Sequence, residues 1–219
     1  MSHTADVIVI GAGIHGCSTA LHLAMRGLKP VVIEKDHAGR HASGVNAGGV
    51  RQPARHFAEV PLSVASMELW ERIEDLVGDD CGFTSEGQVL VAETEAELES
   101  FRARVDELRA MGFTHEELID RVELKKLVPA VSDSCPGGVV SRRDGAANPF
   151  RATQAFRRKA IQLGAKVVEG VSVTGFTRQG AAWRVSTTAD TFEAPVIVNA
   201  AGAWAGRIAA MFGEPVPLE

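Results

Sequence analysis

Cysteine is scarce, and the three present, Cys17, Cys81 and Cys135, stand far apart with no CxxC pair. That spacing suits neither a disulfide framework nor a zinc site, and a reducing cytoplasm is the expected setting. No run of about 18 apolar residues exists that could span a bilayer. The opening MSHTAD has no basic stretch leading into an apolar one, so neither a transmembrane nor an export segment is expected. Excess positive charge is missing too: 23 Lys and Arg stand against 28 Asp and Glu, a net charge of −5. There is thus no basic stripe for a nucleic acid or an anionic membrane. Internal repeats and low-complexity tracts are absent. His15, His37 and His41 have no second carboxylate or Cys at ligand spacing, so no metal site is expected. Cys17 lacks a neighbouring His-Asp arrangement and reads as a small packing residue, leaving no nucleophile to assign.

What is present suits a globular chain of one or two domains: 219 residues, 45% hydrophobic and 23% charged. Residues 5–10 form an apolar run ending at glycines, 14–26 have helical spacing, and 30–33 form a second apolar run closed by Glu34. The order predicted is strand, helix, strand. Residues 35–53, rich in Gly, His, Ala and Ser, are expected to be a functional loop. Over 62–77, Leu62, Ala65, Leu69, Ile73 and Leu76 share one face of a predicted amphipathic helix entered through Pro61. A strand is expected at 87–92. Thr94 and Glu97 then make a capping-box pattern for a helix that Gly112 ends. Residues 116–127 read as one or two short helices, 138–141 as a strand, and Asn148-Pro149 as the cap of a helix running to Leu163. Strands are predicted at 165–169, 171–178, 182–187 and 195–199, and a last helix at 203–211.

Gly11-Ala12-Gly13-Ile14-His15-Gly16 joins the first strand to the first helix, with Glu34 at the end of the next strand. This is the spacing of a dinucleotide fingerprint. Gly11 permits the tight turn, Gly13 lets the backbone approach a pyrophosphate at the helix N-terminus, and Gly16 lets the helix pack on the strand. Glu34 is expected to accept hydrogen bonds from an adenosine ribose, and an acid there disfavours NADP. The fingerprint alone does not separate FAD from NAD.

Three stretches together resemble the D-amino-acid oxidase superfamily of FAD-dependent oxidoreductases, which includes D-amino-acid dehydrogenases and sarcosine, glycine and opine oxidase-like members. They are the fingerprint with Glu34, the run Ser43-Gly44-Val45-Asn46-Ala47-Gly48-Gly49-Val50, and Val196-Ile197-Val198-Asn199-Ala200-Ala201-Gly202-Ala203-Trp204. The resemblance covers essentially the whole chain. It implies an α/β fold, a Rossmann-like FAD-binding sheet with a partial mixed-sheet substrate domain inserted. Residues 1–80 and 146–219 would form the FAD-binding domain and 81–145 the partial substrate domain. Family members run to nearly twice this length, so the C-terminal half of the family fold is expected to be missing beyond Glu219.

The resemblance also implies site roles. The loop carrying Ser43, Asn46, Ala47, Gly48 and Gly49 would pass beneath the pyrophosphate and reach the flavin ring. Some covalent-flavin relatives have His where this chain has Asn46, so a noncovalent FAD is expected. Ala200, Ala201, Gly202 and Trp204 would pack against the FAD, and Val173 would offer its backbone to the adenine edge. Ile14, His15, Lys35 and Arg40 complete the expected cofactor contacts, with His37 and His41 as solvated or minor phosphate-side residues. Arg40, Arg51 and Arg55 carry forks that match a pyrophosphate or a substrate carboxylate. Arg51 is the first choice because it follows the flavin-side loop; no catalytic residue is assigned.

The activity implied is oxidation of the C–N bond of an amino or imino acid by hydride transfer to flavin N5, followed by hydrolysis of the imine, with the electron acceptor open. The alternative is a noncatalytic truncated chain or subunit that keeps the nucleotide-binding fold. It would need a partner subunit, or would self-associate, through an exposed sheet edge. An NAD-dependent dehydrogenase is a third reading, opposed by the Ala-x-Gly-x-Trp strand.

Overall fold

The computed structural model describes residues 2–216. Leu218 and Glu219, at the end of the expected Pro-x-Pro stretch, lie outside the described residues. Two units are present, one of Met1–Ala47, Val77–Cys81 and Asn148–Glu219 and the other of Gly48–Leu76 and Gly82–Ala147. The chain opens with β1 (Ser2–Thr4), β2 (Val7–Ile10), α1 (Ile14–Met25), β3 (Pro30–Ile33) and α2 (Ala42–Val45). It continues through β4 (Gly49–Val50), α3 (Val60–Trp70), α4 (Ile73–Val77), β5 (Gln88–Ala92), α5 (Glu95–Ala110), β6 (Glu117–Asp120), α6 (Arg121–Leu127), β7 (Gly137–Ser141) and β8 (Gly145–Ala146). It returns to the first unit with α7 (Pro149–Gln162), β9 (Lys166–Val168), β10 (Val173–Gln179), β11 (Ala182–Thr187), β12 (Thr191–Ala194), β13 (Val196–Asn199) and α8 (Ala205–Met211). Among the described residues no helix is long and apolar enough to cross a membrane.

In the first unit, β13, β2, β3 and β9 form a parallel sheet in that order. β2 and β3 are buried along their whole lengths, which is why they read as unbroken apolar runs rather than alternating ones. Ile8, Ile10, Val31 and Ile33 pack on Val185, Phe192 and Ala194 of a second sheet, ordered β1-β12-β11-β10. α1 and α7 pack on each other, and between them they contact β2, β3 and β9. Burying a side chain such as Ile8, fully inaccessible here, contributes about 1.5–3 kcal/mol. Asn148 caps α7 as expected, its Oδ1 accepting from the Arg151 N–H at 2.9 Å, with Pro149 in the first turn.

In the first unit two strands, β1 and β12, were not expected. β1 is the polar run Ser-His-Thr, and β12 buries only Phe192 and Ala194, so each has too little apolar pattern to announce itself. β1 exists by pairing in parallel with β12.

The second unit contains the antiparallel sheet β5-β7-β6 and the two-stranded ladder β4-β8. Residues 117–120, expected to be helical, form β6. The fully buried β7 takes a partner on each side, and Leu118 and Ile119 serve as a strand beside it. The helix expected over 62–77 is broken at Glu71 and Arg72 into α3 and α4. Only the second half of its expected core stripe faces inward: Ile73 is buried and Leu76 half-buried, but Leu62 is 76% and Leu69 48% exposed, and Val60 and Met67 are the buried positions of α3. Apolar residues on both sides of α3 made its inward face ambiguous from periodicity alone. The Thr94 cap is present, Oγ1 accepting from the Glu97 N–H at 3.2 Å, and Glu97 reaches back to the Glu93 N–H (2.7 Å).

Candidate functional site

A cavity of about 690 Å³ opens in the first unit and is lined by its residues alone. It receives the turn that leaves β2, the loop that leaves β3 and the turn that leaves β13. These are the carboxyl ends of the parallel strands, where open α/β sheets bind ligands. Its volume falls in the range of small-molecule sites, about 300–1,000 Å³.

The turn after β2 needs its glycines. Gly11 has φ +101°, and a Cβ there would press on the Ala200 carbonyl across the cavity base. A Cβ on Gly16 would overlap the Gly11 carbonyl, so Gly16 serves packing and does not itself line the cavity. At Gly13 a Cβ would stand 2.9 Å from the Ser43 Oγ. That hydroxyl accepts from the Ile14 N–H at 3.0 Å, one of the first-turn donors that have no partner inside a helix. The first turn of α1, carrying Gly13, Ile14 and His15, therefore faces the cavity as an anion-attracting end.

Glu34 is 7% exposed. One carboxylate oxygen accepts from the Ala12 N–H (2.7 Å) and the other from the Asp36 N–H (2.9 Å). The residue thus ties the fingerprint turn to the loop after β3. Each oxygen keeps a second lone pair for a hydroxyl in the cavity.

The loop after β3 is held from α7. Thr153 Oγ1 shares its one O–H between the Pro149 carbonyl (2.9 Å) and the Ser43 carbonyl (3.2 Å), and Gln154 Nε2 donates to the Ala38 carbonyl (2.7 Å). The Ala38 N–H donates to Glu169 (2.7 Å), itself paired with Arg157. So fixed, the loop brings Lys35, Arg40, Ser43 and Asn46 to the cavity, Asn46 Nδ2 also donating to the Ala42 carbonyl at 2.9 Å. His37 and His41, expected to be solvated or minor phosphate-side residues, line the cavity too, the His41 ring 4.6 Å from that of Trp204. After β13, Asn199 accepts from the Ala201 N–H (3.3 Å) and donates to the Ala205 carbonyl (2.8 Å). That turn sets Ala200, Ala201, Gly202 and Trp204 along the opposite wall. Val171 and Val173 add apolar wall, and Arg207, Ile208 and Met211 of α8 close the far side. No role was expected for these three α8 residues; the signal was their spacing on a helix directly after Trp204.

Other expected residues lie elsewhere. Ala47 does not line the cavity, and Gly48, Gly49 and Arg51 belong to the second unit. Arg51 Nη1 donates to the Pro53 carbonyl at 3.0 Å, leaving most of its fork available. The segment that follows Arg51 is held by buried acids. Asp144 accepts from the Gln52 N–H (2.8 Å), Glu116 accepts from the Ala54 N–H (3.2 Å), and Arg104 grips Glu116 through two nitrogens. Burial pushes the Asp144 carboxyl up and the His115 imidazole down from their usual ranges. Cys17 is buried, its Sγ set 3.4 Å from the Ala12 carbonyl, and burial pushes its thiol up to about 12. It is a packing residue and no nucleophile.

The fold and cavity define an α/β dinucleotide-binding unit. The family model described as FAD dependent oxidoreductase (DAO) matches residues 6–219, and the chain belongs to that family, whose cofactor is FAD. It is 29% identical to mitochondrial sarcosine dehydrogenase of Mus musculus over 98% of this chain and 24% of that protein. It is 31% identical to one subunit of the anaerobic glycerol-3-phosphate dehydrogenase of Escherichia coli over 95% of this chain and 39% of that one. Among solved structures it superposes on L-proline dehydrogenase from P. horikoshii with a TM-score of 0.90 and 31% identity, covering 100% of this chain and 58% of that chain. The chain thus spans a quarter to somewhat over half of the proteins it matches. The residues present fit the ADP part of FAD: a turn that carries no Cβ at Gly11 and Gly13, a second lone pair on each Glu34 oxygen and apolar walls at Val171 and Val173 meet at one cavity.

Proposed function

We propose that the chain forms the FAD-binding part of an oxidoreductase that oxidises the C–N bond of an amino or imino acid. The first unit is the FAD-binding domain and the second the beginning of the substrate side. The observation that carries this is the convergence of the Gly11 turn, the first turn of α1 and Glu34 on one cavity, in a chain whose relatives include sarcosine and proline dehydrogenases.

In this role the α1 first turn holds the pyrophosphate and Glu34 accepts from the adenosine ribose. The Val173 backbone meets the adenine edge, while Lys35 and Arg40 neutralise phosphate charge. Ser43, Asn46, Ala200, Ala201, Gly202 and Trp204 position the cofactor by hydrogen bonding and packing, and Ala47, Gly48 and Gly49 give the chain room towards the flavin. Asn46 offers no ring nitrogen for a covalent link, which supports a noncovalent FAD. When bound, FAD supplies the acceptor for a hydride. Arg51 is the candidate cation for a substrate carboxylate, its planar fork suited to that group. Three free, buried cysteines accord with a reducing compartment, the cytoplasm.

Two other readings have specific support. The 31% identity to part of a glycerol-3-phosphate dehydrogenase favours oxidation of an alcohol carbon. The outer strand β13, with Val196 50% exposed beside the fully buried β2, favours a chain that needs a further strand, from a partner subunit or another copy, before it is active. The test is to load the protein with FAD and add sarcosine, proline, glycine or glycerol 3-phosphate without oxygen. Bleaching of the flavin by an amino acid supports the proposal, and bleaching by glycerol 3-phosphate alone replaces it. FAD retained with no bleaching by any of them assigns the chain to the noncatalytic class.

A further inference from the structure

Trp204 closes a ring of contacts at the cavity. Lys35 Nζ stands 3.3 Å from the centroid of its indole, and the His41 ring lies 4.6 Å away, tilted by 52°. Asp36 ties the two basic residues together, one oxygen 2.7 Å from His41 Nε2 and 3.8 Å from Lys35 Nζ. The His41 contact, foremost, holds the Asp36 carboxyl below its usual range. Lys35, Asp36 and His41 come from the loop after β3 and Trp204 from the turn after β13, so the ring bridges two segments on either side of the cavity. Lys35, His41 and Trp204 all line it.

A cation over an indole is a modest attraction when partly exposed. A charge-assisted hydrogen bond to phosphate is stronger and competes for the same ammonium, while a phosphate oxygen can also accept from the imidazole N–H. We infer that Trp204, Lys35 and His41 form a latch across the cavity, opened when the phosphates of an adenine nucleotide draw the two basic side chains away from the indole. This rests on the nucleotide site proposed above. It adds that the site is gated by residues of its own wall and that Trp204 reports its state.

The test uses ADP, which has no flavin absorbance, with binding followed by equilibrium dialysis and by tryptophan emission. ADP is expected to shift the emission of the wild-type chain but not of Trp204→Phe, in which Trp70 and Trp183 alone report. Lys35→Met without nucleotide is expected to bring the emission close to that of the ADP-bound wild type. Trp204→Phe, which keeps a ring to pack on the nucleotide but holds a cation less strongly than an indole, is expected to bind ADP at least as tightly as the wild type, by up to about twofold. ADP bound with unchanged emission of the wild type, or bound more weakly by Trp204→Phe, overturns the latch and leaves the nucleotide site standing. ADP retained by neither protein overturns the site and the latch with it.

Discussion

Glu34→Gln separates the two tasks assigned to this residue. Both its oxygens accept backbone N–H groups, from the buried Ala12 at 2.7 Å and from Asp36 at 2.9 Å. Hydrogen bonds to a charged group contribute about 1.5–3 kcal/mol each. Glutamine keeps one acceptor, now neutral and worth about 1 kcal/mol, and turns an NH2 group against the other N–H. A buried donor left without a partner costs about 1–3 kcal/mol. The expected loss of stability is about 2–4 kcal/mol. With a urea slope of about 2 kcal/mol per molar, the unfolding midpoint should fall by about 1–2 M. Loss of one ribose acceptor should weaken ADP binding by a further factor of about 3–10. Urea titration followed by circular dichroism reads the first effect, and dialysis against ADP well below the transition reads the second. A midpoint within about 0.3 M of wild type would refute the structural task, whatever happens to ADP.

Gly16→Ala should destabilise the chain by at least the roughly 1–3 kcal/mol of an overpacked core site, because its Cβ would meet backbone at the Gly11 carbonyl; thermal melting reads this. Cys17, with its thiol pushed up to about 12 by burial, should resist an aromatic disulfide reagent at pH 8 until the chain is unfolded, and fast labelling of the native protein would contradict its packing role. Burial lowers His115 from its ordinary 6.5, so the unfolded chain takes up that proton first. Stability should therefore fall as pH drops below 6.5, by at most about 1.4 kcal/mol per pH unit from this group, and His115→Phe should lose that part of the slope in urea midpoints measured from pH 7 to 5.

The β2–α1–β3 unit was legible because both faces of its strands are buried and its glycines sit where a Cβ has no space. Such constraints leave marks at fixed spacing. β12 and β6 left weaker ones, since a short strand with only one or two residues fully buried has a pattern that its pairing partners decide. α3 failed differently: Leu62 and Leu69 have the right period, but only tertiary packing chooses between the two apolar faces of that helix. In the site, the residues of the fingerprint and of the Trp204 strand were readable as types in order. The anchors of the intervening loop, Thr153, Gln154 and Glu169, were not, because a side chain that binds a backbone carbonyl or amide more than 100 positions away imposes no local pattern. Gly48, Gly49 and Arg51 continue the same run as Ser43 and Asn46, yet the chain passes into its second unit between Ala47 and Gly48.

The most direct test is whether this chain holds the cofactor of its family. Purified protein incubated with FAD and freed of excess by gel filtration should retain saturable flavin absorbance that ADP displaces and that Glu34→Gln reduces. A chain that stays colourless after loading, and binds neither FAD nor ADP in dialysis, would contradict a nucleotide site built from Gly11, Gly13, Ile14 and Glu34.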